Sequence, residues 1–135
     1  MFPSDRNRKI FKNLTSIAAA NPYVASCRLA AAITYKNRVV SYGVNSYKTS
    51  PFQKRFASNE DRIHLHAEIS AIKNALRVMN VDDLKHTVLY VCRVKRSGHW
   101  GMSKPCEGCQ RAILEFGIKK IFYTTDDNDI IMTMI

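Results

Sequence analysis

The order of elements legible in these 135 residues predicts an α/β fold, a mixed sheet with helices packed against it, in one domain spanning residues 1–135. Three observations carry that prediction. Apolar positions recur at helical spacing in three separated stretches, and five short apolar runs lie between and after them. The last two runs are joined by too few residues to hold a helix, so the sheet cannot be purely parallel. With 46% hydrophobic and 24% charged residues the chain fits one compact domain with its own core, and its length leaves no room for a second.

Each element has its own signal. From Arg8 to about Ala20, Ile10, Phe11, Leu14, Ile17 and Ala18 fall on one stripe, and Asn21-Pro22 ends it, which predicts a first amphipathic helix. ASCRLAAAITYKNRVVSYGVN then holds two apolar runs separated by Lys36-Asn37, the spacing of an antiparallel hairpin with a short polar turn. SYKTSPFQKRFASNEDR is polar and reads as a loop. Leu65, Ile69, Ile72, Leu76 and Met79 mark a second helix whose first turn carries His66 and Glu68. TVLYVCRV, residues 87–94, is rich in β-branched and aromatic residues and reads as a strand; the excursion KRSGHWGMSK follows. Pro105 suits the first turn of a third helix, CEGCQRAILEF, and Gly117 its C-terminal stop. The chain closes with IKKIFYTT and DIIMTMI, joined by at most DDND, which predicts an antiparallel hairpin.

Composition narrows the function. No run of about 18 apolar residues occurs, so no membrane span is expected. MFPSDRNRK lacks the apolar centre of a signal peptide, so the reading is a cytoplasmic protein. Four cysteines in a reducing compartment, two of them in a C-x-x-C, point to metal or redox chemistry rather than to structural disulfides. The net charge of +10 is uneven: residues 1–55 hold ten Lys/Arg against one Asp, a net +9, whereas residues 56–135 hold eleven against ten, a net +1. A basic first half attracts phosphate, on a mononucleotide or along a polynucleotide, and serves equally well as a solvated face.

Residues 64–68 read HLHAE, and forty residues later comes PCEGC. Cys106 and Cys109, three apart at a helix start, can aim two thiolates at one point, with the helix N-terminus lowering their pKa. His66, at the start of the neighbouring helix, supplies a third donor. Three protein ligands leave one position open, the mark of catalytic rather than structural zinc, where water is acidified toward neutral pH. Glu68, two residues from His66, is placed to move a proton to and from that water. Taken singly, each of these residues has an ordinary structural explanation: a packed histidine, a solvated helix charge, a zinc knuckle closed by His64, Cys92 or His99.

Together, His66-Ala67-Glu68 and Pro105-Cys106-Glu107-Gly108-Cys109 resemble the zinc-dependent cytidine and deoxycytidylate deaminase superfamily, over nearly the whole chain. The resemblance implies a three-layer α-β-α cytidine-deaminase-like fold with a mixed sheet of about five strands, the last two antiparallel. It implies one catalytic zinc ion held by His66, Cys106 and Cys109, with Glu68 carrying the proton, and hydrolytic deamination with release of ammonia. Asn45, in YGVN, matches the family asparagine that contacts substrate, and the Ala67 N–H and Lys104 carbonyl stand where the family hydrogen-bonds the pyrimidine edge. His64 matches nothing in the motif and reads as structural, Cys27 and Cys92 as small core residues, and His99 and Trp100 as candidates to stack on a base near the pocket mouth.

The sequence combines marks of two branches of that superfamily. Nucleoside enzymes pair the asparagine with a carboxylate as N-x-E, whereas Asn45-Ser46-Tyr47 has none. Deoxycytidylate and tRNA adenosine deaminases place a helix between the last two strands, for which DDND leaves no space, while Gln110 resembles the nucleoside enzymes again. Lys48, Lys54, Arg55 and Arg62 offer charge for a 5′-phosphate or a nucleic-acid strand. The expected activity is therefore deamination of a cytosine base on a free nucleotide such as dCMP. The alternatives are a base in single-stranded DNA or RNA and, from another class, a non-catalytic zinc-stabilised nucleic-acid-binding module. Relatives of this kind form homo-oligomers, so self-association is a further expectation from the resemblance.

Overall fold

The computed structural model describes residues 4–21, 28–46 and 66–135. Its elements are α1 (Asp5–Ala19), β1 (Arg28–Tyr35), β2 (Arg38–Val44), α2 (Ala67–Ala75), a 3-10 turn (Val81–His86), β3 (Thr87–Val94), β4 (Trp100–Gly101), α3 (Glu107–Glu115), β5 (Lys120–Thr124) and β6 (Ile130–Met134). Together the strands make one mixed sheet in the order β2-β1-β3-β5-β6, with the short β4 also paired to β3. Among the described strands only β3 and β5 pair in parallel; β5 and β6 form the antiparallel hairpin that the DDND linker predicts.

Period-2 alternation sends the strand side chains into two cores. Ala30, Ala32, Tyr90, Cys92 and Phe122 face α1, where they meet Ile10, Phe11, Leu14 and Ala18. Ala31, Ile33, Leu89, Val91 and Ile121 face the opposite way, onto Ala67, Ala71, Ile72 and Ala75 of α2 and Ile113 of α3. The fold is therefore a three-layer α-β-α sandwich, and the alanines of β1 let helices lie close on both of its faces.

Local chemistry sets the boundaries. Lys36 and Asn37 both adopt positive φ, 51° and 67°, the combination a two-residue primed hairpin turn demands. Gly117 at φ +81° closes α3; its N–H donates to Leu114 and that of Ile118 to Ile113, and Ile113 and Ile118 share a core. Two expectations are corrected. First, α1 begins at Asp5, because Ser4 caps it by accepting from the Asn7 N–H at 3.2 Å, ahead of any apolar stripe. Second, Pro105 lies outside α3, since the extended Cys106 is the N-cap and Glu107 the first helical residue. Among the described residues the expected mixed sheet of about five strands is joined by the two-residue β4, where the excursion after β3 folds back. Among the described residues no helix is long and apolar enough to cross a membrane.

Candidate functional site

α2 and α3 lie on the same side of the sheet and point their N-termini into one site. Their seats are built from polar and steric detail. On β2, the Ser41 hydroxyl donates to the Ala71 carbonyl at 2.8 Å, and the Asn74 amide donates to the Tyr42 carbonyl at 2.8 Å. Beside these ties Gly43 lets the helix backbone come so close that an ideal Cβ there would lie 2.4 Å from the Ala71 nitrogen. The segment leading to α3 is held by a buried pair, Ser103 and Thr124. The Ser103 hydroxyl donates to the Val91 carbonyl at 2.9 Å, and the Thr124 hydroxyl donates to the Gly101 carbonyl at 2.8 Å while accepting from the Arg93 N–H at 3.1 Å. The Gln110 amide then donates to the Pro105 carbonyl at 2.8 Å, bracing the residue before the first cysteine.

The result is a cluster of three donors. His66 is the N-cap of α2 and Cys106 the N-cap of α3, while Cys109 sits in the first turn of α3. Nδ1 of His66 lies 3.2 Å from Sγ of Cys109 and 3.6 Å from Sγ of Cys106, and all three donor atoms fall within 4.8 Å of one another. Tetrahedral zinc with ordinary Zn–N and Zn–S bonds separates its nitrogen and sulfur ligands by about 3.6 Å. The His66 nitrogen therefore stands at zinc-ligand spacing from both sulfurs to within about 0.4 Å, and the three-donor composition is that of an open, catalytic site. Hydrogen bonds from Cys109 and His66 hold the Cys106 thiol down to about 3 despite its partial burial, so it is a thiolate, the form that binds metal, at neutral pH.

Glu68, only 3% exposed, lies beside this cluster on the first turn of α2. Burial pushes its carboxyl above the usual carboxylate range, and nearby Cys106 adds to that. Its own backbone N–H, His66 and Cys109 pull the other way. A buried carboxyl that is easily protonated, set against a metal-binding trio, is suited to carrying a proton rather than to making a salt bridge.

The other predicted residues are placed as follows. Ala67 opens α2, where backbone N–H groups lack acceptors within the helix, and Lys104 is exposed two residues before Cys106. The Asn45 side-chain oxygen accepts from the Leu29 N–H and from the Asn21 amide, both at 2.9 Å, tying the end of β2 to β1 and to the end of α1. Cys92 is a fully buried core residue, as expected, and Cys92, Cys106 and Cys109 are not in disulfides. Trp100 is not at the metal cluster: it packs on Phe11 across the sheet, with its indole N–H donating to Thr15 at 2.9 Å. His64, Cys27, Lys48, Lys54, Arg55 and Arg62 lie outside the described residues. The Ser103–Thr124 pair and Gly43 carry no motif, and only a register that put them beside their partners would have exposed their roles.

Comparison with known proteins agrees with this geometry. The model of the cytidine and deoxycytidylate deaminase zinc-binding region matches residues 6–125. No match was found among curated proteins. Among solved structures, the chain is similar to the dCMP deaminase of cyanophage S-TIM5 in complex with dCMP and dUMP, with 18% identity and a TM-score of 0.63 over 93% of this chain and 85% of that one. It is similar to the cytidine deaminase of Mycobacterium leprae, with 22% identity and a TM-score of 0.56 over 93% and 92% of the two chains. A structure from a study of A-to-I editing by tRNA:A34 deaminases gives 22% identity and a TM-score of 0.52 over 87% and 76%. With a family match over most of its length and a His-Cys-Cys cluster that fits one zinc ion, the chain belongs to the cytidine and deoxycytidylate deaminase family, hydrolases acting on C–N bonds.

Proposed function

We propose that this deaminase acts on the cytosine base of a free nucleotide, with dCMP as the preferred substrate, and that His66, Cys106 and Cys109 hold the zinc while Glu68 carries the proton. The observation on which this rests is the buried Glu68 beside the His66–Cys106–Cys109 cluster. Bound there, zinc supplies Lewis acidity that brings the pKa of water toward neutrality. Glu68 takes a proton from the attacking water and delivers it to the ring nitrogen. A second proton passes through the same carboxylate to the exocyclic amine; the C4–N bond breaks, a C4–O bond has formed, and ammonia leaves with uracil as the product base. The Ala67 N–H and the Lys104 carbonyl supply a donor and an acceptor to the pyrimidine edge, and Asn45 closes the site from the end of β2.

Two further points support a free nucleotide. Asn45 is not followed by the carboxylate that nucleoside enzymes use on the ribose, and the net +10 charge favours a substrate bearing phosphate. The structural likeness to a dCMP deaminase solved with dCMP and dUMP points the same way.

The test is a panel of dCMP, CMP, cytidine and single-stranded oligonucleotides, followed by ammonia release and the absorbance change from cytosine to uracil. The zinc-loaded protein turns over dCMP fastest. Glu68→Gln keeps zinc and its melting temperature but loses about 10²-fold or more in kcat. Faster turnover of a base in single-stranded DNA or RNA would move the substrate to polynucleotides. No turnover of any substrate by zinc-loaded protein would replace the enzyme reading with that of a zinc-stabilised binding module.

A further inference from the structure

On the opposite side of the sheet from the zinc cluster, α1 presents a face dominated by cations. Arg6, Arg8, Lys9 and Lys12 are all exposed on it, and Asp5 is its one acidic residue. Hollows flank the helix. One, of about 460 Å³, is lined by Arg6, Lys36, His86 and Lys120 and has no acidic residue in its wall. Its floor is the stacked pair Tyr90 and Phe122, with ring centroids 5.2 Å apart at 7°, and the Lys120 ammonium stands 5.4 Å from the Phe122 centroid. The Tyr90 hydroxyl donates to Asn7 at 2.8 Å, which fixes α1 against this floor. The other hollow, of about 440 Å³, is lined by Arg8, Lys12, His99 and Trp100.

A solvated helix face usually mixes charges of both signs, and cations that serve only solubility need no concave setting. Here the cations converge from three parts of the chain, α1, the β1–β2 turn and β5, into one hollow, and then continue along α1 to a second. A single small phosphate would fill one hollow and leave the other unused. A chain of phosphates crossing α1 would meet both.

We propose that the α1 face is a binding track for the phosphate backbone of single-stranded nucleic acid, separate from the deamination site. Arg6, Lys36 and Lys120 anchor the strand at one end, and Arg8 and Lys12 carry it toward the other. The contacts are to phosphate, so binding is insensitive to base sequence and falls steeply with salt.

Fluorescence anisotropy of labelled 30-nucleotide single strands, read as a function of salt, tests this on the zinc-loaded full chain. The wild type binds homopolymer and mixed-sequence strands alike. The triple variant Arg6→Gln, Lys36→Gln, Lys120→Gln raises Kd about tenfold or more at 50 mM salt and lowers the slope of log K against log salt by about 2, since each single-strand phosphate contact contributes roughly 0.7. Lys73→Gln with Arg77→Gln, on the other side of the sheet, leaves Kd unchanged, as does saturating dCMP. Unchanged circular dichroism and dCMP turnover in the triple variant show that only the track was altered. Equal Kd and slope for the triple variant and the wild type would overturn the proposal. So would displacement of the strand by dCMP, or inorganic tripolyphosphate binding as tightly as the strand, which would make the hollow a small-phosphate site.

Discussion

Replacing Gly43 by alanine should separate the reasons this chain has a glycine near the end of β2. In an unhindered strand the change would stabilise the protein by about 0.4–1 kcal/mol, because alanine restricts the unfolded chain. Here the added Cβ meets the backbone of α2: 2.4 Å to the Ala71 nitrogen, 2.5 Å to the Ala67 oxygen and 2.8 Å to the Ser70 carbonyl carbon. Carbon contacts at rest lie at about 3.5–4.0 Å, so the helix must withdraw by about 1 Å. No flexible side chain is there to absorb the move. Overpacking of this kind costs about 1–3 kcal/mol, which outweighs the entropic gain and leaves a net loss of about 1–2 kcal/mol. For a domain of this size that lowers Tm by about 4–8 °C. The same displacement carries His66 and Glu68 away from Cys106 and Cys109, and a misplacement of about 1 Å costs on the order of 10² in rate. Thermal melting, zinc content and ammonia release together provide the assay. A Gly43→Ala protein with unchanged or raised Tm and wild-type turnover would refute the claim that this close approach seats the site.

The remaining predictions address other parts of the structure. Trp100→Phe removes the hydrogen bond to Thr15 on the α1 side and should cost about 1 kcal/mol in a melt while leaving KM and kcat for dCMP unchanged; a raised KM would return Trp100 to the substrate pocket. Thr124→Val leaves the partly buried Arg93 N–H and the buried Gly101 carbonyl without this partner and should cost about 1–3 kcal/mol, with Thr124→Ser restoring most of it. Stripping zinc with a chelator should lower Tm, since a ligand at a hundredfold over its Kd adds about 2.7 kcal/mol, or about 10 °C here; an unchanged melt would mean that His66, Cys106 and Cys109 do not hold the ion in the native fold.

Much of this architecture is legible because its signals are local. Lys36-Asn37 between two apolar runs marks a turn, and the structure gives both residues the positive φ that such a turn needs. TVLYVCRV becomes a strand over its full length, Thr87–Val94. The zinc trio is legible for a related reason: H-x-E and P-C-x-x-C each fix donors within one helical turn, and only the distance between the two turns is left to the fold. What escapes the sequence depends on long-range register. The Asn45 oxygen, beside the substrate role proposed for this residue, is held by Asn21 and Leu29, 24 and 16 residues away. Trp100 reads as a residue of the pocket mouth until β4 pairs with β3 and turns its ring onto Phe11, 89 positions earlier in the chain. Gly43 reads as an ordinary strand glycine until α2 is laid across it.

The metal-binding residues also belong to the packing. Ile69, Cys109 and Ala112 form a small buried cluster between α2 and α3, joined by Cys106 and Phe116, so both cysteines sit at the junction of the helices. His66 and Glu68 are tied to the same junction through α2, whose residues 67–69 are all buried. An ion bridging His66 to the two cysteines would therefore brace the helices at this small apolar junction. The stability and the chemistry of this domain would then respond to the same perturbation: a change that lets α2 slide on β2 loosens the ligand set, and loss of the ligand set frees α2 to slide.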